Sequence, residues 1–252
     1  MTRITVLMLA VASIAFTSCK KDKGGSPDPV GQTKKLSRIE ENGQLSASFT
    51  YNADGTLKTL FSGNTTFEFS YDAQKKISQI TSTSGGLLKY FYSNGALTRV
   101  ENFVGTDKIA ENVLQYENGK VISNTNLSVT DNGNVPTFKT IYHYNANGTV
   151  QKISTYILGA SGELELDSEY AYEQYDSKKN PLAVISDFSQ ASMYQPISPN
   201  NPLVEKLYSA NGSVDETTVN EYTYDAAGYP VTIKSTTTTN GTPTVRTAKL
   251  FY

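Results

Sequence analysis

A single histidine and a run of alternating carboxylates are the side chains of this 252-residue chain that first suggest chemistry. His143 stands between Tyr142 and Tyr144. As a general base it would need a nucleophile within hydrogen-bond reach. Ser and Asp are plentiful, but no Gly-x-Ser-x-Gly elbow presents one. Glu163, Glu165, Asp167 and Glu169 occupy alternate positions, which puts them on one face of a strand. They read either as paired carboxylates for glycoside hydrolysis or as a solvated face. One histidine and one cysteine cannot complete a tetrahedral zinc shell. The segments "NADG" at Asn52 and "DNGN" at Asp131 have calcium-loop character but lack the terminal Glu, and so read as hairpin turns. No cofactor and no metal is implied.

The N-terminus bears on location. Arg3 precedes an apolar stretch from Ile4 to Phe16, the layout of a secretory signal and too short for a mature membrane-spanning helix. Phe16-Thr17-Ser18-Cys19 then resembles the lipobox of bacterial lipoproteins, in which the cysteine is acylated and becomes the new N-terminus. Cys19 is the only cysteine, so no internal disulfide can form. Lys20 to Lys35, "KKDKGGSPDPVGQTKK", has the composition of a flexible tether, and fully extended it would reach roughly 50 Å. The expected organisation is a lipoprotein signal peptide over 1–18, an acylated tether over 19–35 and one domain over 36–252. Lipid at Cys19 would then hold the protein to the outer membrane, on its periplasmic or its surface side.

Loss of Arg3 with the signal takes the formal net charge from −2 to −3. That balance gives no support to nucleic-acid binding, which needs a basic face to neutralise phosphates. Seventeen Tyr, ten Phe and no Trp, with abundant Ser, Thr and Asn, make a strand-and-turn composition. "YNADGTLKTL" at Tyr51 recurs in variant form at Tyr71, Tyr92, Tyr116, Tyr144 and Tyr224. Asn52 to Gly55 suits a type I turn closing into a bulge, with Tyr ending one strand and Leu57 opening the next. Ser93-Asn94-Gly95 and Glu117-Asn118-Gly119 are shorter versions. Lys75 replaces Gly in the copy at Tyr71, and Asn180-Pro181 replaces Gly-x after Tyr175, so both turns should depart from the pattern. Tyr-to-Tyr spacings of 20, 21, 24 and 28 residues fit one hairpin each. The result is an all-β antiparallel meander of about 12–14 strands, curled into a half-barrel or barrel-like sheet. The only helical pattern starts at Asn180, a candidate N-cap. Pro181 follows it, and Leu182, Ile185, Phe188 and Ser192 lie along one side. This insertion belongs over an end of the sheet or against its concave face.

The Tyr-Asp/Asn-x-x-Gly-x-Leu/Val/Ile unit resembles the YD repeat of RHS-type proteins. The order of lipobox, YD-like hairpins, "YDSKKNPL", insertion and "YSANGSVDETTVNEYTYDAAGYPVTI" resembles a family of Bacteroidetes lipoproteins of unknown function with a porin-like β fold. The resemblance implies a curled many-stranded sheet and an anchored, extracytoplasmic life, and it carries no catalytic residues. Three functions stay open. One is a non-catalytic binding module whose Tyr-rich face takes a glycan or a protein, with Tyr175, Phe188 and Tyr194 as candidate ligand-binding residues. Another is a hydrolase with its site near the 182–202 insertion. The last is an outer-membrane barrel, suggested by the aromatic end of "TVRTAKLFY".

Overall fold

The computed structural model describes residues 34–192 and 197–252. The signal, Cys19, nearly all of the tether and Tyr194 lie outside the described residues.

Sixteen strands occur among the described residues, each antiparallel to both neighbours, and they close into one barrel. In chain order they are β1 (Arg38–Glu41), β2 (Gln44–Tyr51), β3 (Leu57–Ser62), β4 (Thr65–Tyr71), β5 (Ile77–Ser82), β6 (Gly86–Ser93), β7 (Ala96–Val104) and β8 (Asp107–Glu117). There follow β9 (Lys120–Thr130), β10 (Gly133–Tyr144), β11 (Val150–Leu158), β12 (Leu164–Lys179), β13 (Asn200–Ser209), β14 (Val214–Tyr224), β15 (Pro230–Thr239) and β16 (Thr242–Phe251). The barrel-like sheet is thus fully closed, with more strands than the repeat spacing suggested. The repeat does not fix the number of strands, because β1 is only four residues long and β15 ends in a run of threonine without large apolar alternation.

The turns explain how so regular a meander forms. In the copy at Tyr51, the Gly55 N–H donates to the Asn52 carbonyl and the Asn52 N–H to the Thr56 carbonyl, each at 2.9 Å. Gly55 has φ 91°, and the register slips between Thr50 and Tyr51, as a type I turn with a bulge requires. Lys75 was expected to break this pattern and does not. Lys75 N–H bonds the Asp72 carbonyl at 3.0 Å and Asp72 N–H the Lys76 carbonyl at 2.9 Å, with Lys75 forced to φ 60°. The Asp72 carboxylate accepts from the Gln74 and Lys76 N–H groups, each at 2.9 Å, and that local brace overrides the steric preference of lysine. After Tyr175 the pattern does break. β12 runs on to Lys179, and Tyr175 pairs with Pro202 across the sheet instead of ending a turn.

The insertion is a helix with the expected cap. Asn180 Oδ1 accepts from Leu182 N–H at 3.0 Å and Pro181 takes the first position, but the first turn, Pro181–Ile185, is a 3₁₀ turn before α1 (Ser186–Ser192) begins. Phe188 is buried, its ring 5.1 Å from Phe67 and 5.8 Å from Phe69. Phe67 and Phe69 alternate with exposed Glu68 and Ser70 on β4, so the helix packs against the inner surface of the barrel.

Inside and outside differ in chemistry, though the inward rows also hold buried Asn112, Asn124 and Thr140 and the outward rows exposed Phe91, Val219 and Val245. Buried Phe49, Leu60, Phe69, Ile80, Val100, Leu114 and Ile153 fill the lumen. The alternate positions facing outward carry charge on hairpin after hairpin. Lys108 bonds Glu101 at 3.0 Å and Glu111 at 2.6 Å, Lys152 bonds Glu169 at 2.7 Å, Lys206 bonds Glu173 at 2.8 Å, and Lys234 bonds Glu221 at 2.9 Å. At the seam, β1 pairs β16 from Arg38 opposite Phe251 to Glu41 opposite Ala248, and the Arg38 guanidinium lies 3.8 Å above the Phe251 ring.

Candidate functional site

The tyrosines of the repeat face the lumen, and several of them, with Tyr175 and Tyr252, are tied to the backbone. The Tyr71 hydroxyl donates to the Leu57 carbonyl at 2.7 Å, Tyr144 to Val121 at 2.8 Å, Tyr175 to Val150 at 2.7 Å and Tyr252 to Pro230 at 2.9 Å. Each acceptor is the first or second residue of the first strand of the preceding copy, so each tyrosine stitches its hairpin to the one before. Burial pushes the Tyr51, Tyr116 and Tyr144 hydroxyls up to about 12. Lysines cover several rings from above, Lys76 at 4.9 Å from Tyr92 and Lys120 at 5.1 Å from Tyr144. These tyrosines form a structural layer across one end of the barrel.

The candidate ligand residues divide accordingly. Besides its bond to Val150, the Tyr175 hydroxyl accepts from Ser198 Oγ at 3.0 Å. Phe188 is packed between helix and wall. A cavity of about 570 Å³ does lie beside the insertion, where Asp187, Lys76, Tyr92 and Tyr116 meet the turns, but neither Tyr175 nor Phe188 lines it. Burial raises the Asp187 carboxyl, and Lys76 opposes that shift.

The residues proposed for catalysis are not brought together. His143 faces outward beside Lys152, and burial followed by the Lys152 charge lowers its affinity for a proton. The four alternating carboxylates do not share a face. β12 holds one extra residue at Asp167 where Thr155 pairs with Ser168 and Tyr156 with Leu166, so Glu169 and Glu165 emerge on opposite sides. Glu169 bonds Lys152 and Ser154, while Glu165 accepts from Ser161 at 2.7 Å.

A second cavity, missed in the sequence, opens inside the barrel along β12 to β16 and β1. Its volume is about 290 Å³, and Tyr170, Tyr172, Glu205, Thr218, Asn220, Ser235, Thr237, Arg246, Glu41 and Ala248 line it. Strand register explains the set. Glu205 lies opposite Thr218 and Tyr172, Thr218 opposite Thr237, and Asn220 opposite Ser235, which in turn faces Arg246. Glu205 Oε2 accepts from the Tyr170 hydroxyl at 2.7 Å and Oε1 from Asn220 Nδ2 at 2.6 Å, while Asn220 Oδ1 accepts from Ser235 at 2.6 Å. Burial raises the Glu205 carboxyl above the usual range, the two hydrogen bonds oppose the shift, and Glu216 adds repulsion. Tyr222, bonded to the Pro202 carbonyl, and Tyr224, bonded to Asp176 Oδ2, close the lumen on the tyrosine side. The cavity therefore opens toward the other rim, where Arg246 is exposed. One signal in the sequence could have revealed it. The alternation Leu203-x-Glu205-x-Leu207 places a carboxylate in an inward apolar row.

No protein-family model and no curated protein matches the chain in sequence. Among solved structures it is similar to a porin-like protein from Bacteroides vulgatus, 16% identical with a TM-score of 0.58 over 87% of this chain and 99% of that one. It is similar also to a porin-like protein from Bacteroides uniformis, 15% identical with a TM-score of 0.56 over 86% of this chain and 96% of that one. At such identities the likeness lies in the fold: this chain shares the barrel architecture of Bacteroides porin-like proteins.

Proposed function

We propose that the chain is a membrane-tethered, extracytoplasmic binding module, held by lipid on Cys19, whose barrel stands in water and takes part of a glycan or a protein into its lumen. The observation that carries this reading is the polar cup around Glu205, a carboxyl group, an amide and several hydroxyls gathered on the inner wall of the barrel. No catalytic set converges on the cup, so binding without turnover is the function that its hydroxyls, amide and charges support.

The porin-like likeness favours a second reading, a barrel that crosses the outer membrane. Such barrels carry an outward apolar band about 25 Å tall. Here the outward positions carry the Lys108–Glu101–Glu111, Lys152–Glu169 and Lys234–Glu221 groups in mid-strand, and lipid would desolvate them at a cost of several kcal/mol per charge. The charged wall favours the tethered module.

The test has two parts. Cells fed an alkyne-labelled fatty acid should label the protein, and Cys19→Ala should abolish the label; labelling that survives that change refutes acylation at Cys19. The mature chain, residues 19–252 carrying Cys19→Ser, should gain thermal stability with at least one member of a panel of short glycans and peptides. If no member raises Tm, the cup is not a binding site.

A further inference from the structure

We infer that the lumenal cup selects a short peptide-like zwitterion, its ammonium end directed to Glu205 and its carboxylate end to Arg246. The inference rests on the binding reading above and names the ligand class within it.

Glu205 is the first half of the argument. Its two oxygens accept from neutral donors, Tyr170 and Asn220, and no basic side chain among the described residues lies within ion-pair distance of it. Each oxygen keeps a lone pair for another donor. A half-buried carboxylate with two neutral partners and no cation is costly to keep ionised: burial favours its protonated form, and a cation placed beside it would favour the charged one.

Arg246 is the second half. Its guanidinium lies on the same cavity wall, and no ion pair joins it to Glu41, the other carboxylate there. Its planar fork matches a carboxylate in bidentate geometry. Among the described residues the cup thus presents a carboxyl group within and a guanidinium at its mouth, neither of them in an ion pair.

Spacing selects the length. Glu205 is on β13 and Arg246 on β16, three strand steps apart, which at about 4.8 Å per step is roughly 14 Å around the curved wall. Both side chains reach inward and shorten that gap. At about 3.3 to 3.6 Å per residue, two or three residues would span what is left. Between the charged groups the wall offers the Thr218, Thr237 and Ser235 hydroxyls, suited to peptide N–H and C=O groups. A neutral sugar would leave both charges unpaired and partly desolvated. A phosphate would face Glu205 and Glu41.

The cup opens away from the N-terminal attachment. Lys34 bonds Asp225 at 3.2 Å and Lys35 covers the Tyr51 ring at 4.9 Å, so the tether joins the barrel at its tyrosine end, opposite the mouth.

The experiment is calorimetric titration of the mature chain carrying Cys19→Ser with Ala-Ala and Ala-Ala-Ala, their N-acetylated and C-amidated forms, and maltose. The free peptides should bind, and blocking either end should weaken binding at least tenfold. In Glu205→Gln the N-acetyl penalty should vanish while the amide penalty stays, and Arg246→Met should show the reverse. The blocked ligands on the unchanged protein test the inference even if a variant fails to fold. Binding of maltose without the peptides would overturn the zwitterion and leave the binding reading standing. Peptide binding indifferent to end-blocking would overturn it too, and silence from every probe would remove the cup as a site for both.

Discussion

Lys75 and the tyrosine stitches show what a single residue does in this fold. Lys75 holds φ 60°, a left-handed conformation that costs a residue with a Cβ about 1–2 kcal/mol. Its ion pair with Asp54 at 3.3 Å is largely exposed and returns little. Lys75→Gly should therefore stabilise the protein by about 0.5–1 kcal/mol after the greater entropy of glycine in the unfolded chain is counted, read as a higher midpoint in urea. The tyrosines allow a paired comparison. Tyr144→Phe leaves the Val121 carbonyl without its partner and should cost about 1–3 kcal/mol. The Tyr92 hydroxyl is buried with no hydrogen-bond partner among the described residues, so Tyr92→Phe should be neutral or stabilising. Equal losses at both positions would show that the hydroxyl bonds do not matter.

At the scale of elements, what could be read in advance depended on how local its cause was. Turns written as Asn-Gly, the bulge at Gly55 and the Asn180–Pro181 cap are set by a few adjacent residues, and they form as read. The Lys75 turn was misjudged because its brace is the side chain of Asp72, three residues away. The carboxylate row from Glu163 to Glu169 was misjudged because one extra residue at Asp167 changes the face of everything beyond it, and only the partner strand reveals that slip. The cup was invisible for the same reason. Glu205, Asn220, Ser235 and Arg246 come from four strands and meet only through register. The helix lies between these cases. Its pattern named Phe188, but the contacts with Phe67 and Phe69 are more than a hundred residues distant in sequence. Phe188→Ala should cost about 3–5 kcal/mol and free α1 from the wall. Hydrogen exchange should then quicken in residues 186–192 well before it does in β4 and β5. A uniform rise across the barrel would mean that the helix is integral to the sheet.

For the whole molecule, closure solves the problem of sheet edges, because β1 and β16 satisfy one another and leave no row of unpaired backbone groups to recruit another chain. Closure alone does not choose between water and lipid. That choice lies in which side of each strand is apolar, and period-2 alternation permits either. Here Val100 is inward and Glu101 outward, and Ile153 is inward with Lys152 outward. The apolar cluster on the inward rows can stabilise the barrel without surrounding lipid. The mature chain carrying Cys19→Ser should therefore refold from urea in detergent-free buffer to a monodisperse β protein with one cooperative transition. Dependence on detergent micelles for refolding, or insertion into liposomes with protection of Lys108 and Lys152 from an amine-reactive probe, would place the wall in lipid and overturn the tethered module. Full labelling of both lysines in the presence of liposomes would place it in water.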